Sequence, residues 1–149
     1  MTAPTIRRAL AADLPAIIAL LADDPLGRVR ETPDSRCYVA AFEAIDADPN
    51  HLLVVAEAGG LVVGCLQLTF IPGLTRAGMW RGQIEGVRVA REYRSSGIGR
   101  EMLAWAIERC RHRGCGLVQL TTDKRRPDAH GFYGALGFVA SHEGMKLAL

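Results

Sequence analysis

Cysteine is sparse and unpatterned. The four thiols, Cys37, Cys65, Cys110 and Cys115, form no C-x-x-C pair, so no disulfide framework is implied and a reducing, cytoplasmic setting is expected. Long apolar runs are missing too. None approaches a membrane span, and the opening MTAPTIRRALAADLP lacks the uninterrupted apolar core of a signal peptide. Excess charge of either sign is also absent: 18 basic side chains face 16 acidic ones, for a net +2. With no aromatics interleaved among the basic residues, that balance argues against a nucleic-acid surface. No internal repeat, low-complexity segment or break in composition divides the chain. What is present is an ordinary globular balance, 49% hydrophobic and 23% charged over 149 residues. It predicts one domain, residues 1–149, with a core of its own.

The pattern of apolar residues predicts mixed α/β structure. TIRRA reads as a first strand. Asp13 offers an N-cap to a helix with Leu14, Ile17, Ile18 and Leu21 on one stripe, which DDPLG ends. After a polar loop, GRVRETP, residues 34–46 start at Asp34 and carry Tyr38, Phe42 and Ile45 at helical spacing. HLLVVAEAGGLVVGCLQLTF is a hairpin turning at Gly59-Gly60, and MWRGQIEGVRVA is the next strand. A helix from Gly97 to about Arg113 buries Ile98, Met102, Ala106, Ile107 and Cys110. Strand GLVQLTT, short helix AHGFYGALG and one or two strands from FVASHEGMKLAL complete the order β-α-α-β-β-β-α-β-α-β.

The stretch VAREYRSSGIGREML, residues 89–103, runs a strand end through a basic, glycine-punctuated turn into a helix. Unpaired N–H groups at a helix start, together with the helix dipole, make that place an anion site. Gly97 and Gly99 let a ligand approach the backbone, Ser95 and Ser96 can cap or donate, and Arg94 and Arg100 can pair with phosphate. A Walker loop is excluded, because no Gly-Lys-Ser/Thr ending follows. A dinucleotide fingerprint fails at its third glycine, where Met102 stands.

Arg94-Ser-Ser-Gly97-Ile-Gly99, preceded by IEGVRVAREY, resembles the acetyl-CoA motif of the GNAT acetyltransferase superfamily. AHGFYGALGF, residues 129–138, is similar to that superfamily's A-x-x-x-Y-x-x-L-G-F element at Ala129, Tyr133, Leu136, Gly137 and Phe138. The resemblance spans the whole chain and implies a GNAT-like mixed sheet, centrally splayed and flanked by helices. One departure is clear: the asparagine that often stands seven residues before the tyrosine is Arg126 here.

The resemblance implies acetyl-CoA as cosubstrate and no metal. Its pyrophosphate would lie on residues 94–100, Arg94, Ser95, Ser96, Gly97, Ile98, Gly99 and Arg100. Its pantetheine arm would bond the backbone at Val87 and Val89, with Gly86 a plausible β-bulge. A lysine-like amine, pKa ~10.4, must lose a proton before attack. Glu85 is the candidate base, and a cross-strand polar partner or an ordered water are the alternatives. Tyr133 stands where the family donates a proton to the leaving thiolate, pKa ~8.5; its alternative is packing.

The remaining candidates carry less. Cys110, His112 and Cys115 lie close together but read as core, solvated and strand-opening residues. His130 and His142 are lone histidines. Lys124, Arg125 and Arg126 form a basic loop that could meet the CoA 3′-phosphate, Asp128 is a helix cap, and Trp80, Arg81 and Trp105 pack. The function implied is transfer of acetyl to a primary amine by direct attack in a ternary complex. The acceptor is a small molecule or a protein amine, and Glu85, Asp128 and Glu143 favour a cationic one. Homodimers are common in the superfamily; neither nucleic acid nor membrane is an expected partner. A non-catalytic acyl-CoA-binding or regulatory module on the same fold is the alternative. A nucleic-acid binder using Arg91, Arg94, Arg100 and residues 124–126 is a third.

Overall fold

A computed structural model describes residues 3–33 and 36–149. Five strands form one sheet in the order β1-β2-β3-β4-β5. β1 is Thr5–Arg8, β2 His51–Ala58, β3 Leu61–Ile71, β4 Arg81–Val89 and β5 Leu117–Leu120. The first four pair antiparallel, and β5 joins β4 in parallel. The β2–β3 hairpin turns at Gly59 and Gly60, φ 57° and 79°. Two successive left-handed residues match the right-handed twist of the strands they join.

Helices cover both faces. Helix α5 (Ile98–His112) lies on one face, where Met102, Leu103, Ala106 and Cys110 meet Val54, Leu66, Leu68, Phe70 and Ile84. On the other, α1 (Leu14–Ala22) sends Ile17 and Leu20 against Val55 and Cys65. α5 comes down so close over β4 that a Cβ on Gly82 would overlap the Cys110 sulfur. The remaining helices are α2 (Gly27–Arg30), α3 (Cys37–Ala47), α4 (Thr75–Gly78) and α6 (Pro127–Ala135). Among the described residues no helix is long and apolar enough to cross a membrane.

Four expectations are revised. The polar loop GRVRETP contains the short α2, set by Asp24, whose carboxylate accepts the N–H groups of Leu26 and Gly27, both at 2.8 Å. Asp13 makes no side-chain cap for α1; its carboxylate instead takes the Leu10 N–H and the Arg7 guanidinium. Asp128 is no cap either, because Arg126 holds that position and Pro127 opens α6. The strands expected from FVASHEGMKLAL are absent: residues 139–149 form no regular element. Asp34, expected to begin the second long helix, lies outside the described residues, and α3 starts at Cys37.

Candidate active site

β4 changes character half-way along. From Arg81 to Ile84 it pairs on both sides, with β3 and with Leu117–Leu120 of β5. Beyond Ile84, among the described residues, only β3 continues beside it, Glu85 opposite Gln67, Arg88 opposite Cys65 and Val89 opposite Gly64. Gly86 and Val87 together face the single residue Leu66, which makes a β-bulge, and Gly86 takes the left-handed φ of 61° that such a bulge favours. The sheet therefore opens between β4 and β5, as the expected splay requires.

Residues 87–89 border this opening. Ala90 N–H donates to Val63 O at 2.8 Å, so by alternation the main-chain groups of Val89 face away from β3, into the gap. The Val89 carbonyl accepts Arg94 Nε at 3.2 Å, and the Val87 carbonyl accepts Arg88 Nη1 at 2.9 Å.

The turn expected to hold phosphate lies at the end of the same strand. Gly97 caps α5 in the left-handed region, φ 93°, with no side-chain cap. The first-turn N–H groups of α5 thus have no helical acceptor. Ser95, Ser96, Gly97 and Arg100 are exposed around them, and a Gly97 Cβ would point into open space, with no described group beyond its own stretch of chain within 4 Å. Ile98 is buried, so only its backbone faces the turn. Ser96 Oγ donates to the Tyr93 carbonyl rather than into the helix mouth. Arg94 is half engaged elsewhere, donating to the Asp23 carbonyl at 3.3 Å, while Arg91 pairs with the Asp23 carboxylate at 3.2 Å.

Tyr133 reaches this region through α6. The Phe132 ring beside it stands 3.4 Å from where a Gly99 Cβ would be, so α6 packs directly on the first turn of α5. Tyr133 itself is half-buried, its ring edge-on to Phe132 and Phe138 at 5.1 and 5.8 Å. Desolvation pushes the phenol pKa above its ordinary 10.0, with Arg88 and Arg126 pulling weakly the other way. The hydroxyl therefore keeps its proton at neutral pH, the form a donor needs. Glu85 is exposed on β4 just before the bulge, where it accepts Gln83 Nε2 at 3.2 Å. Gln83 in turn accepts Gln119 Nε2 at 2.8 Å. The Glu85 hydrogen bond thus runs along β4 and not across to a neighbouring strand, so the cross-strand pairing considered for it is not what the described residues show, and one carboxylate oxygen is left open to solvent or substrate.

One cluster was not foreseen. Asp24, its side chain 8% exposed, meets Arg88 Nε at 2.8 Å and Arg126 Nη2 at 3.1 Å. The Arg88 contact is one of charge, without hydrogen-bond alignment. Burial would raise the Asp24 pKa, but the Gly27 N–H, the two guanidiniums and the Leu26 N–H outweigh it and hold it at about 2. Arg126, in the position where the family often has asparagine, thus spends its guanidinium on Asp24. The bulge is what makes this possible: it turns Arg88 to the face of Cys65, toward Asp24. Pattern reading marks DDPLG only as a helix end, and no local signal ties it to residues 64 and 102 positions away. Arg125 closes on Asp123 at 2.7 Å, Lys124 is exposed, and His142 lies on the exposed C-terminal segment bonded to Ser141. Trp80 and Trp105 pack against the core, Trp105 under the Arg109 guanidinium.

Residues 14–138 match the model of the acetyltransferase (GNAT) family. The chain is 33% identical to aminoalkylphosphonate N-acetyltransferase of Salmonella typhimurium, over 97% of this chain and 90% of that protein. A Bacillus halodurans C-125 protein solved as a transcriptional regulator superposes with a TM-score of 0.96 at 52% identity, covering 98% of this chain and 99% of the other. A Trypanosoma brucei acetyltransferase superposes at 0.79 with 28% identity, over 98% and 99% of the two chains.

Proposed function

The chain belongs to the GNAT acetyltransferase family, and we propose that it moves an acetyl group from acetyl-CoA to the primary amine of a small molecule by direct attack in a ternary complex. The observation that carries this reading is the continuous opening from the unpaired edge of β4 to the uncapped first turn of α5. Such a groove fits the cosubstrate. The Val87 and Val89 backbone can take its extended arm as an added strand, and the N–H groups at residues 97–100, flanked by Arg94, Ser95, Ser96 and Arg100, can take its phosphates. Acetyl-CoA supplies the activated acetyl thioester. Tyr133 holds a proton for the departing thiolate, and Glu85 takes the proton of the incoming ammonium, directly or through water. The Asp24–Arg88–Arg126 cluster is a positioning element that ties the Tyr133 loop to β4.

The acceptor is best sought among small amines that carry an acid group. Two facts support this: the Salmonella relative is named for an aminoalkylphosphonate, and Arg88 with Arg126 outnumber Asp24 beside the Tyr133 ring. Of the acidic residues that favoured a cationic acceptor, Glu143 stands exposed on the C-terminal segment. The test is calorimetric titration with acetyl-CoA of the wild type and of an Arg94→Ala/Gly97→Asp variant. Binding in the micromolar range, weakened at least ~100-fold in a variant that still unfolds cooperatively, is expected; a hundredfold loss is about 2.7 kcal/mol. A folded wild type that binds no acetyl-CoA overturns the reading.

A further inference from the structure

Helix α5 ends in a motif that sets two thiols side by side. Just past the last turn, Gly114 takes the left-handed φ of 76°. Its N–H donates to the Arg111 carbonyl at 3.0 Å, and the Cys115 N–H reaches back to the Cys110 carbonyl at 2.9 Å. In this glycine-terminated helix end, the residue after the glycine packs on the residue whose carbonyl it takes, and apolar side chains commonly fill both places. Here both are cysteines, and the Cys110 and Cys115 thiols share a side-chain hydrogen bond.

The surroundings hold the pair in register. The Cys110 sulfur is buried against β4, where a Gly82 Cβ would overlap it. Cys115 is followed by Gly116, whose N–H donates to the Trp80 carbonyl at 2.8 Å and whose missing Cβ would overlap the Met79 sulfur. Access to the two differs. Cys110 is 1% exposed and Cys115 half-buried, and both line a cleft between α5 and β5 with Ile107, Leu117 and Val118. Burial, reinforced by the Cys115 thiol, pushes the Cys110 thiol up to about 12. Cys115 is thus the sulfur that a reagent from solvent meets first. The other two cysteines stand apart: Cys65 packs with Ile17 and Leu20 on the opposite face of the sheet, and Cys37 is exposed on α3.

We propose that Cys110 and Cys115 form a reversible dithiol site, which hydrogen peroxide oxidises to an intrachain disulfide. The Cys115 thiolate attacks the peroxide: an S–O bond forms, the O–O bond breaks, and the departing oxygen leaves as water with the thiol's proton. The Cys110 sulfur then displaces the sulfenic oxygen. An S–S bond forms, and the Cys110 proton leaves with that oxygen as a second water. The two sulfurs together give up two electrons, which the peroxide takes. A dithiol reductant reverses the reaction by exchange. Capture by the adjacent thiol also keeps Cys115 from passing to the irreversible sulfinic acid. The bridge ties the last turn of α5 to the entry of β5, beside the closed half of β4, where Arg81 stands opposite Leu117. The site rests on the packing of the two thiols and holds whatever reaction the chain performs.

The test is mass spectrometry of the folded full chain after hydrogen peroxide, with remaining thiols alkylated and digestion carried out without reductant. Trypsin cuts after Arg109, Arg111 and Arg113, so the bridge joins the dipeptide 110–111 to peptide 114–124 in one species. That species, lighter by two hydrogens than its parts and split by dithiothreitol, is expected as the main oxidised product. Cys110→Ala should leave Cys115 as a sulfenic acid that dimedone traps, and Cys115→Ser should leave Cys110 unoxidised. A wild type whose two thiols stay reduced at peroxide levels that fully oxidise free cysteine overturns the proposal. So does a bridge to Cys37 or Cys65 in place of this one, or Cys115 driven to sulfinic acid beside an untouched Cys110.

Discussion

The two halves of β4 differ in what lies beside them. Residues 81–84 are paired on both sides, and Gly82 and Ile84 are buried under α5. Residues 85–89, one bulge later, are paired on one side, and arginine side chains occupy the carbonyls of Val87 and Val89. A strand with both edges satisfied is scaffold, because each backbone group already has its partner. A strand with one edge open is a template, and an extended ligand can dock along it. The difference teaches where mutations should cost stability and where they should cost chemistry.

The largest effect is expected in the closed half. Gly82→Val places side-chain atoms where the buried Cys110 sulfur lies, an overpacking of roughly 3 kcal/mol or complete failure to fold. Thermal melts should show Gly82→Ala partly rescued by Cys110→Ala. A Gly82 variant that melts like wild type but loses activity would break the comparison.

Next comes Tyr133→Phe, which removes only the hydroxyl at the open half. Turnover should fall ~100-fold while acetyl-CoA affinity and melting temperature hold, the range for loss of a positioned acid. A variant with full turnover would reduce Tyr133 to packing.

A smaller effect attaches to Asp24, the anchor of the open half. Its folded pKa of about 2 lies below the ordinary 3.8, so its contribution is present above about pH 4 and fades as pH falls toward 2. The shift corresponds to about 2 kcal/mol. Denaturant midpoints across this window should drop for wild type relative to Asp24→Asn, whose own loss at neutral pH is already complete. Parallel curves would mean that the two guanidiniums do not hold the carboxylate.

Legibility in the sequence followed range. The hairpin at Gly59-Gly60, the bulge at Gly86 and the helix opening at Gly97 are local, since a left-handed backbone position is written into the residue that can adopt it. The α5 stripe was readable for the same reason, though Leu103 joined its buried face and Ile107 came only half into it. Capping was less readable. Asp13 and Asp128 stand where caps are common, but Arg7 competes for one and Pro127 with Arg126 displaces the other. The candidate site divided along the same line: Arg94 to Arg100 and Tyr133 were marked by motif, and the elements that carry them come together where Phe132 packs at Gly99.

By itself, then, the sequence determined the element types, the sharp turns and the residues that form the mouth of α5, because torsional preference and apolar period act within a few residues. Tertiary structure alone decided that Arg126 and Arg88 converge on Asp24, and that Met145 to Leu149 pair with no strand among the described residues. Ion pairing and strand pairing depend on where distant backbones come to lie. No local pattern of residues encodes that position.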